Sequence, residues 1–526
     1  MITSRDYLMN DGTVAPTLSD FAMQCIQQGK EALEMHKNMR NGYNQYENPE
    51  GIVNLSVAEN TLMHEELVAH YESVFRLRAL DFTYGDGLTG TMRLSNAICN
   101  FLNAYFEPFR PVEPSQLILG CGLMSMLGQV GGVVANRGEG ILITAPYYSG
   151  FNPSFMTVYG LKVVPALMAA NDIGTMNELV VLEKSIRDSN ASGVVVKAVL
   201  LCNPHNPLGR CYPKDVIEGY CRLCERYNLH LLSDEIFAMS VFATRDIPHP
   251  PSFVSVLSVD LNKLGVNPAR IHVLYGMSKD FNANGFRAGV LISQSNPLLI
   301  RALTITNPMS IMSSPTDALW SAVLDDIKFL ENFISTNKVK LGEACDYVTR
   351  WLRFHGLPYV PPHATHFMMV DIRPIVSDIE RYGPILGIEA GDTMDKRELA
   401  LVNYIHENKV ALSPGSSHHH LEGGWIRLSF SVRRDHLDVA LRRIEAALMW
   451  KEWPGFGTPT AWSQPSDFMG SEKQGNFSLN SSRICIFKNW ILNKIQKYSL
   501  AQFIPWVKDS YITAKYVGQK GQVSIK

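Results

Sequence analysis

Lys279 stands at the end of an apolar run, in the stretch YGMSKDFNANGFRAG from Tyr275 to Gly289, with Arg287 eight residues further on. A lysine so placed offers an amine. Burial or a neighbouring cation lowers its pKa and lets it form a Schiff base with a carbonyl carbon. Arg287 is a fixed fork for a phosphate or a carboxylate. Asp234 closes another apolar run, NLHLLSDEI, where a carboxylate is costly unless something cationic pairs with it. The segment GCGLMS opens a helix after a strand, and the free backbone N–H groups of Gly122, Leu123 and Met124 can cradle a phosphate. Tyr148 offers a flat face and Asn206 an amide donor. One cofactor uses all of these groups: pyridoxal phosphate needs a lysine for its aldehyde, an acid for its pyridine nitrogen, a phosphate cup and something flat against its ring. Each element has a plainer reading by itself: a surface turn for the lysine, a helix cap for SDEI, a tight turn for GCG. Their order and joint presence favour the cofactor.

These residues need elements to bring them together. Short apolar runs, SQLILGCG, GILITAPYY, VKAVLLCNP, NLHLLSDEI and RIHVLYGMSK, alternate with helical patterns. That alternation predicts a mostly parallel sheet covered on both faces, an α/β fold. In such sheets the ligand sits beyond the carboxyl ends of the strands, and each run here ends in a polar or glycine-rich cluster. From about Asn332 the pattern changes to helices around a few strands, THFMMVDIRP and GGWIRLSFSV, and closes on the helix HLDVALRRIEAALMW. The stretch LSDFAMQCIQQGKEALEMHKNM near the start reads as one long helix.

The chain has 526 residues and a net charge of −2, with 46% hydrophobic and 19% charged residues. Length suggests several domains, and composition a globular chain. No basic excess argues for nucleic acid. No secretory signal and no apolar run long enough to span a membrane is seen. The 9 cysteines are scattered, as free thiols in a cytoplasmic compartment would be. Cys221 and Cys224 form a CxxC on a helical pattern without a second ligand pair, so no metal is expected. From Gly455 onward 9 Lys and Arg face 3 Asp and Glu, behind a segment rich in Gly, Pro and Ser. That part reads as a linker and a basic, aromatic extension.

The segments NPEGIVNLSVAEN, YGDGLTG, APYYSGF, NPHNPLG, SDEI, SKDFNANGFRAG and SPGSSHHHLEGGWIRLSF together resemble fold-type I pyridoxal-phosphate enzymes of the class I/II aminotransferase family. Within it the chain looks most like the 1-aminocyclopropane-1-carboxylate synthase-like branch, particularly its fungal members. The resemblance covers roughly Asn48 to Trp450. It implies a large, mostly parallel seven-strand-type sheet domain and a smaller α+β domain built from both chain ends. The divisions expected are an N-terminal segment of the small domain (1–80), the large cofactor domain (81–330), the C-terminal small domain (331–453) and the extension (454–526).

It also implies roles. Lys279 matches the Schiff-base lysine, which also shuttles the proton at the substrate Cα. Asp234 matches the partner of the pyridinium nitrogen, Asn206 the donor to the ring hydroxyl, and Tyr148 the stacking residue. Gly122, Leu123 and Met124 match the phosphate turn, and Ser278 and Arg287 further phosphate ligands. Tyr84 matches a tyrosine that reaches the phosphate of the neighbouring subunit, which implies a homodimer with shared sites. Arg427 matches the arginine that clamps the substrate α-carboxylate, and Glu59 and Asn60 line the substrate side.

Three positions depart from the pattern. Gly276 replaces a serine that binds phosphate in many relatives. Phe237 replaces a tyrosine that donates to the ring hydroxyl. Phe82 replaces a glutamine of the true aminocyclopropane-carboxylate synthases. Ser417 to His420, SHHH, reads as part of the loop before the carboxylate-binding strand rather than as a metal site. The expected function is an aminotransferase-type enzyme of specialised metabolism, such as mycotoxin formation, acting on an amino acid that could carry sulfur. A C–S lyase, an aminocyclopropane-carboxylate synthase and an inactive cofactor-binding scaffold are the alternatives.

Overall fold

Runs of aliphatic and β-branched residues with no polar face can be hidden only as central strands covered on both sides. In the computed structural model, which describes residues 18–457 and the short strands Ala514–Tyr516 and Val523–Ile525, seven runs form one sheet. In chain order they are β1 (Leu117–Gly120), β2 (Gly140–Ala145), β3 (Lys162–Leu167), β4 (Val196–Cys202), β5 (His230–Asp234), β6 (Ile271–Gly276) and β7 (Gly289–Ile292). Their order across the sheet is β1-β7-β6-β5-β4-β2-β3. Only β7 runs against its neighbours; β6, β5, β4, β2 and β3 pair in parallel. Every residue of β2 and β6 is buried, whereas β3, at the edge, exposes Lys162, Pro165 and Leu167. A proline and a lysine on an edge strand discourage further pairing.

Helices cover the sheet. The helix α1 (Leu123–Val134) follows β1, α2 (Met176–Ala191) connects β3 to β4, and α3 (Lys214–Arg226) connects β4 to β5. On α3 the apolar side Val216, Ile217, Tyr220, Cys221, Leu223 and Cys224 faces the core. Both cysteines of the CxxC are thus packing residues, and burial pushes the Cys221 thiol up to about 12. Among the described residues no group of His, Cys, Asp or Glu has a metal-holding arrangement.

A second layer surrounds the antiparallel strands β8 (Phe367–Asp371), β9 (Ser413–Pro414) and β10 (Trp425–Ser429), ordered β9-β10-β8. Its core takes Val53 and Leu55 from early in the chain and Leu437, Leu441 and Ile444 from late in it. The short strand Val53–Asn54 pairs in parallel with Val410–Ala411, which ties the early segment in. The 28-residue helix α4 (Ile327–Phe354) serves both cores: Leu330 and Phe333 pack with the large sheet, Leu341, Trp351 and Leu352 with the small one.

Two strands, β3 and β7, were not among the expected ones. The long helix expected near the start is broken at Gly29 into Asp20–Gln28 and Lys30–Arg40. The chain divides into two units, Met1–Pro459 and Thr460–Lys526. In the second, the described residues are the antiparallel pair Ala514–Tyr516 and Val523–Ile525. Past residue 457 the expected linker and extension otherwise lie outside the described residues. No described helix is long and apolar enough to cross a membrane.

Candidate active site

Parallel pairing puts the carboxyl ends of β2, β4, β5 and β6 at one edge of the sheet, and β1, two antiparallel steps from β6, ends there too. The residues just beyond those ends are Tyr148, Asn206, Asp234 itself, Ser278 with Lys279, and Gly122. Because β7 runs the other way, its start brings Arg287 to the same edge. The second layer contributes Arg427 on β10 and the segment Ser56–Asn60. Most of the side chains singled out in the sequence therefore face one region.

Lys279 donates from Nζ to the carbonyl of Ala58 at 2.5 Å. Burial of its amine, and then the charge of Arg427, lower its pKa to about 8, against the opposing pull of Glu59. Asp234 is 4% exposed. Burial pushes its carboxyl up to about 7, opposed by the N–H of Ile236, 3.1 Å away, and by the charge of Lys279. An amine of lowered pKa thus shares the site with a carboxyl that has room for a cationic donor.

One end of the region is a backbone cradle. Gly122 has φ +87°, in the region open to glycine, and a β-carbon built there would lie 2.6 Å from a guanidinium nitrogen of Arg287. Helix α1 starts at the next residue with no side-chain cap, so its first N–H groups stay available. Arg287 is itself left-handed, φ +54°, and donates to the carbonyl of Asn284 at 2.8 Å. Ser278 is half-buried on the same turn as Lys279. At Gly276 a β-carbon would sit 2.5 Å from the carbonyl oxygen of Ala288, so the strand pairing itself leaves no room for the serine of the relatives.

Arg427, 3% exposed, is held by three groups. Its Nη1 donates to Asn206 Oδ1 at 3.0 Å and its Nη2 to the carbonyl of Ser56 at 2.7 Å, and its guanidinium lies 4.6 Å from the ring centre of Phe367. Its Nε has no partner. Burial lowers its pKa to about 10, and it stays a cation at neutral pH. Tyr148 is half-buried; burial raises its phenol pKa while Arg427 and Arg287 pull it down. Phe237 is buried, its ring centre 6.0 Å from Lys279 Nζ, and stands edge to face with His366 and Phe367.

One predicted residue turns elsewhere, and one lies at the surface, where a neighbouring subunit would meet it. The Asn60 amide donates to Asn337 Oδ1 on α4 at 2.9 Å and its oxygen accepts from the N–H of Leu62, so it braces its segment. Tyr84 and Phe82 project from the surface, 90% and 80% exposed. Glu59 accepts from Asn284 at 2.8 Å beside Lys279. Sequence reasoning missed the carbonyls of Ala58 and Ser56, which carry no residue-type signal, and Phe367, a strand residue like any other until its ring is seen under Arg427.

The residues present fit pyridoxal phosphate. A glycine cradle backed by an arginine suits its phosphate. A buried carboxyl with open acceptor capacity suits its ring nitrogen, and an amine of lowered pKa suits its aldehyde. Comparison with known proteins gives the same direction. The family model described as aminotransferase class I and II matches residues 50–444. The chain is 31% identical over 447 residues to a protein named probable aminotransferase gliI of Aspergillus fumigatus, covering 83% of this chain and 97% of that one. It is 29% identical over 423 residues to 1-aminocyclopropane-1-carboxylate synthase 3 of Solanum lycopersicum, covering 77% and 85%. In fold it matches a double mutant of the aspartate aminotransferase of Thermus thermophilus with a TM-score of 0.62 at 19% identity, over 82% of this chain and 100% of that one. With a cradle, a carboxyl, an amine and an arginine at one sheet edge, and a family match across most of its length, the chain belongs to the class I and II aminotransferases, which are pyridoxal-phosphate enzymes.

Proposed function

We propose that this enzyme transfers the amino group of an amino acid in specialised metabolism. The observation that carries the reading is Lys279, an enclosed amine of lowered pKa between Asp234 and Arg427. When bound, pyridoxal phosphate supplies an aldehyde that captures amines and a ring that draws electrons from the substrate Cα. Lys279 holds or takes the proton at Cα, because an amine titrating near 8 keeps a usable fraction of free base. Asp234 would hold the ring nitrogen, Asn206 the ring oxygen, and Tyr148 and Phe237 would pack against the ring. Gly122, Leu123, Met124, Ser278 and Arg287 would hold its phosphate. Arg427 grips the substrate α-carboxylate, with Glu59 on the substrate side and Asn60 bracing it.

The exposed Tyr84 and Phe82 support a homodimer in which each subunit completes the other's site. Mixing Lys279→Ala with Tyr84→Ala subunits should recover activity in hybrids, and no recovery would count against sharing. The described cysteines are free thiols, which supports a cytoplasmic location. Val53 and Leu55 in the core of the small layer support its being built from both chain ends, while residue 330 falls within the shared helix α4 and Met63 and Leu67 pack with the large sheet.

A C–S lyase is the second reading, favoured by the match to aminocyclopropane-carboxylate synthase. Product analysis with a panel of amino acids and cysteine conjugates separates the outcomes. A keto acid with the amine form of the cofactor means transfer. A keto acid with ammonia means elimination, and a cyclopropane means cyclisation. No turnover of any substrate, with cofactor bound, would leave a scaffold.

A further inference from the structure

The run Ser417–His420 is not absorbed by this chemistry, yet it is built into the site. It lies in the loop between β9 and β10, whose base is fixed by the buried carboxylate of Glu398. That carboxylate accepts from Ser416 N and Oγ, Gly424 N and Trp425 N at 2.8–3.0 Å. The tip of the loop grips one residue of the large layer. Tyr147 N donates to the carbonyl of His418 at 2.8 Å. His418 Nδ1 lies 3.2 Å from the carbonyl oxygen of Tyr147, and its Nε2 lies 2.9 Å from Ser413 Oγ.

The chemistry fixes the protons. A carbonyl can only accept, so His418 Nδ1 carries the hydrogen. A neutral imidazole then has a bare Nε2, which accepts from the Ser413 hydroxyl. Burial, and then the charge of Arg427, keep His418 neutral. The carbonyl it holds belongs to the peptide bond that leads into Tyr148. Ser413 in turn sits opposite Arg427 in the β9–β10 pairing. A second grip lies alongside. The His419 ring stacks on Tyr147 with centres 4.4 Å apart, and its Nε2 meets the Asn152 amide nitrogen at 3.1 Å. Asn152 Oδ1 accepts from the Tyr147 hydroxyl at 2.9 Å.

We propose that His418 and His419 are positioning residues that hold Tyr148 over the cofactor ring and, through Ser413, tie its seat to the carboxylate-binding Arg427. The inference rests on the cofactor reading above. Its test uses the full chain loaded with pyridoxal phosphate and reads the visible circular dichroism of the bound cofactor and its rate of release, alongside KM and kcat.

In His418→Leu the dichroism should fall and the cofactor should leave about tenfold faster, the size of one buried hydrogen bond left unmade. His418→Asn places an amide donor near the Nδ1 position and should restore both signals. Ser413→Ala should move them in the same direction as His418→Leu, by less. The rescue separates positioning from general loosening, which an asparagine in a buried site would not repair. If His418→Leu folds and matches wild type in dichroism and release, the inference is overturned. If it does not fold, Ser413→Ala and His418→Asn decide: an unaltered signal in Ser413→Ala together with a lost one in His418→Asn overturns it. A wild type without any pyridoxal phosphate band would overturn the cofactor reading and this inference together.

Discussion

Asp234 and Asp280 are buried carboxyls on neighbouring turns of one sheet edge, and burial pushes both up to about 7. They differ in what they hold. Asp280 accepts from Ser240 Oγ at 2.5 Å, Met239 N at 2.8 Å and Tyr275 Oη at 3.0 Å. Asp234 accepts from Ile236 N. Asp280 follows Lys279 directly in the chain, yet its oxygens are taken up in stapling two turns together. Asp234 keeps acceptor capacity facing the site. A displaced pKa therefore does not separate a working carboxyl from a structural one; unfilled hydrogen-bond capacity does.

Exchanging each for asparagine should split the pair most sharply. Asp234→Asn should lower turnover by about 10²–10³, the loss seen when one electrostatic stabiliser is removed, and should leave the fold at least as stable. The pH dependence follows from its raised pKa. Between about pH 4 and 7 the folded chain keeps a proton that the unfolded chain has released, so this carboxyl's contribution falls as pH rises through that window. Asparagine removes that slope, and melting of the cofactor-free protein at several pH values reads it. Asp280→Asn should do the reverse, losing about 1–3 kcal/mol of stability because buried donors lose part of their acceptor. Equal losses of turnover and stability in both variants would erase the distinction.

Arg427→Ala tests the other wall of the site. Removing one partner of a desolvated carboxylate clamp costs about 2–5 kcal/mol. That should appear as a raised KM for amino acids with the cofactor still bound. An unchanged KM with lost cofactor would move this arginine to another role.

The smallest effect belongs to Phe237, which touches the site but cannot donate. A hydroxyl added in Phe237→Tyr and directed at the ring oxygen would stabilise that oxygen's anionic form. The visible band of the bound cofactor should then titrate at lower pH, by up to about one unit, or about 1.4 kcal/mol. A spectrophotometric titration of both proteins checks it. No shift, or a shift upward, means that residue 237 does not face the ring oxygen.

The parts legible in the sequence were those carried by residue type and local pattern. Five strands ended in informative clusters, Lys279 and Asp234 declared themselves by charge at the ends of apolar runs, Arg287 by its spacing from Lys279, and Arg427 through the family resemblance alone. The strands β3 and β7 escaped for physical reasons. The first is an edge strand with a lysine and a proline, and the second follows the loop after Lys279, beginning at its last residue, Gly289. Asn60 read as a substrate-side group because its partner, Asn337, lies 277 residues away. The histidines of the loop read only as part of the loop before the carboxylate-binding strand for the same reason, since the contact of His418 with Tyr147 is not visible in the sequence. Contacts made by carbonyls, such as those of Ala58 and Ser56, leave no trace in a sequence because every residue has one.

Gly276 bears on how this site can change over generations. The pairing of β6 with β7 has closed over the place where a serine side chain would begin, 2.5 Å from a main-chain oxygen. Restoring the missing phosphate hydroxyl would require the backbone of β7 to retreat in the same step. Any substitution that tightened phosphate binding without moving that backbone would have to act elsewhere, at Ser278, Arg287 or the turn at Gly122.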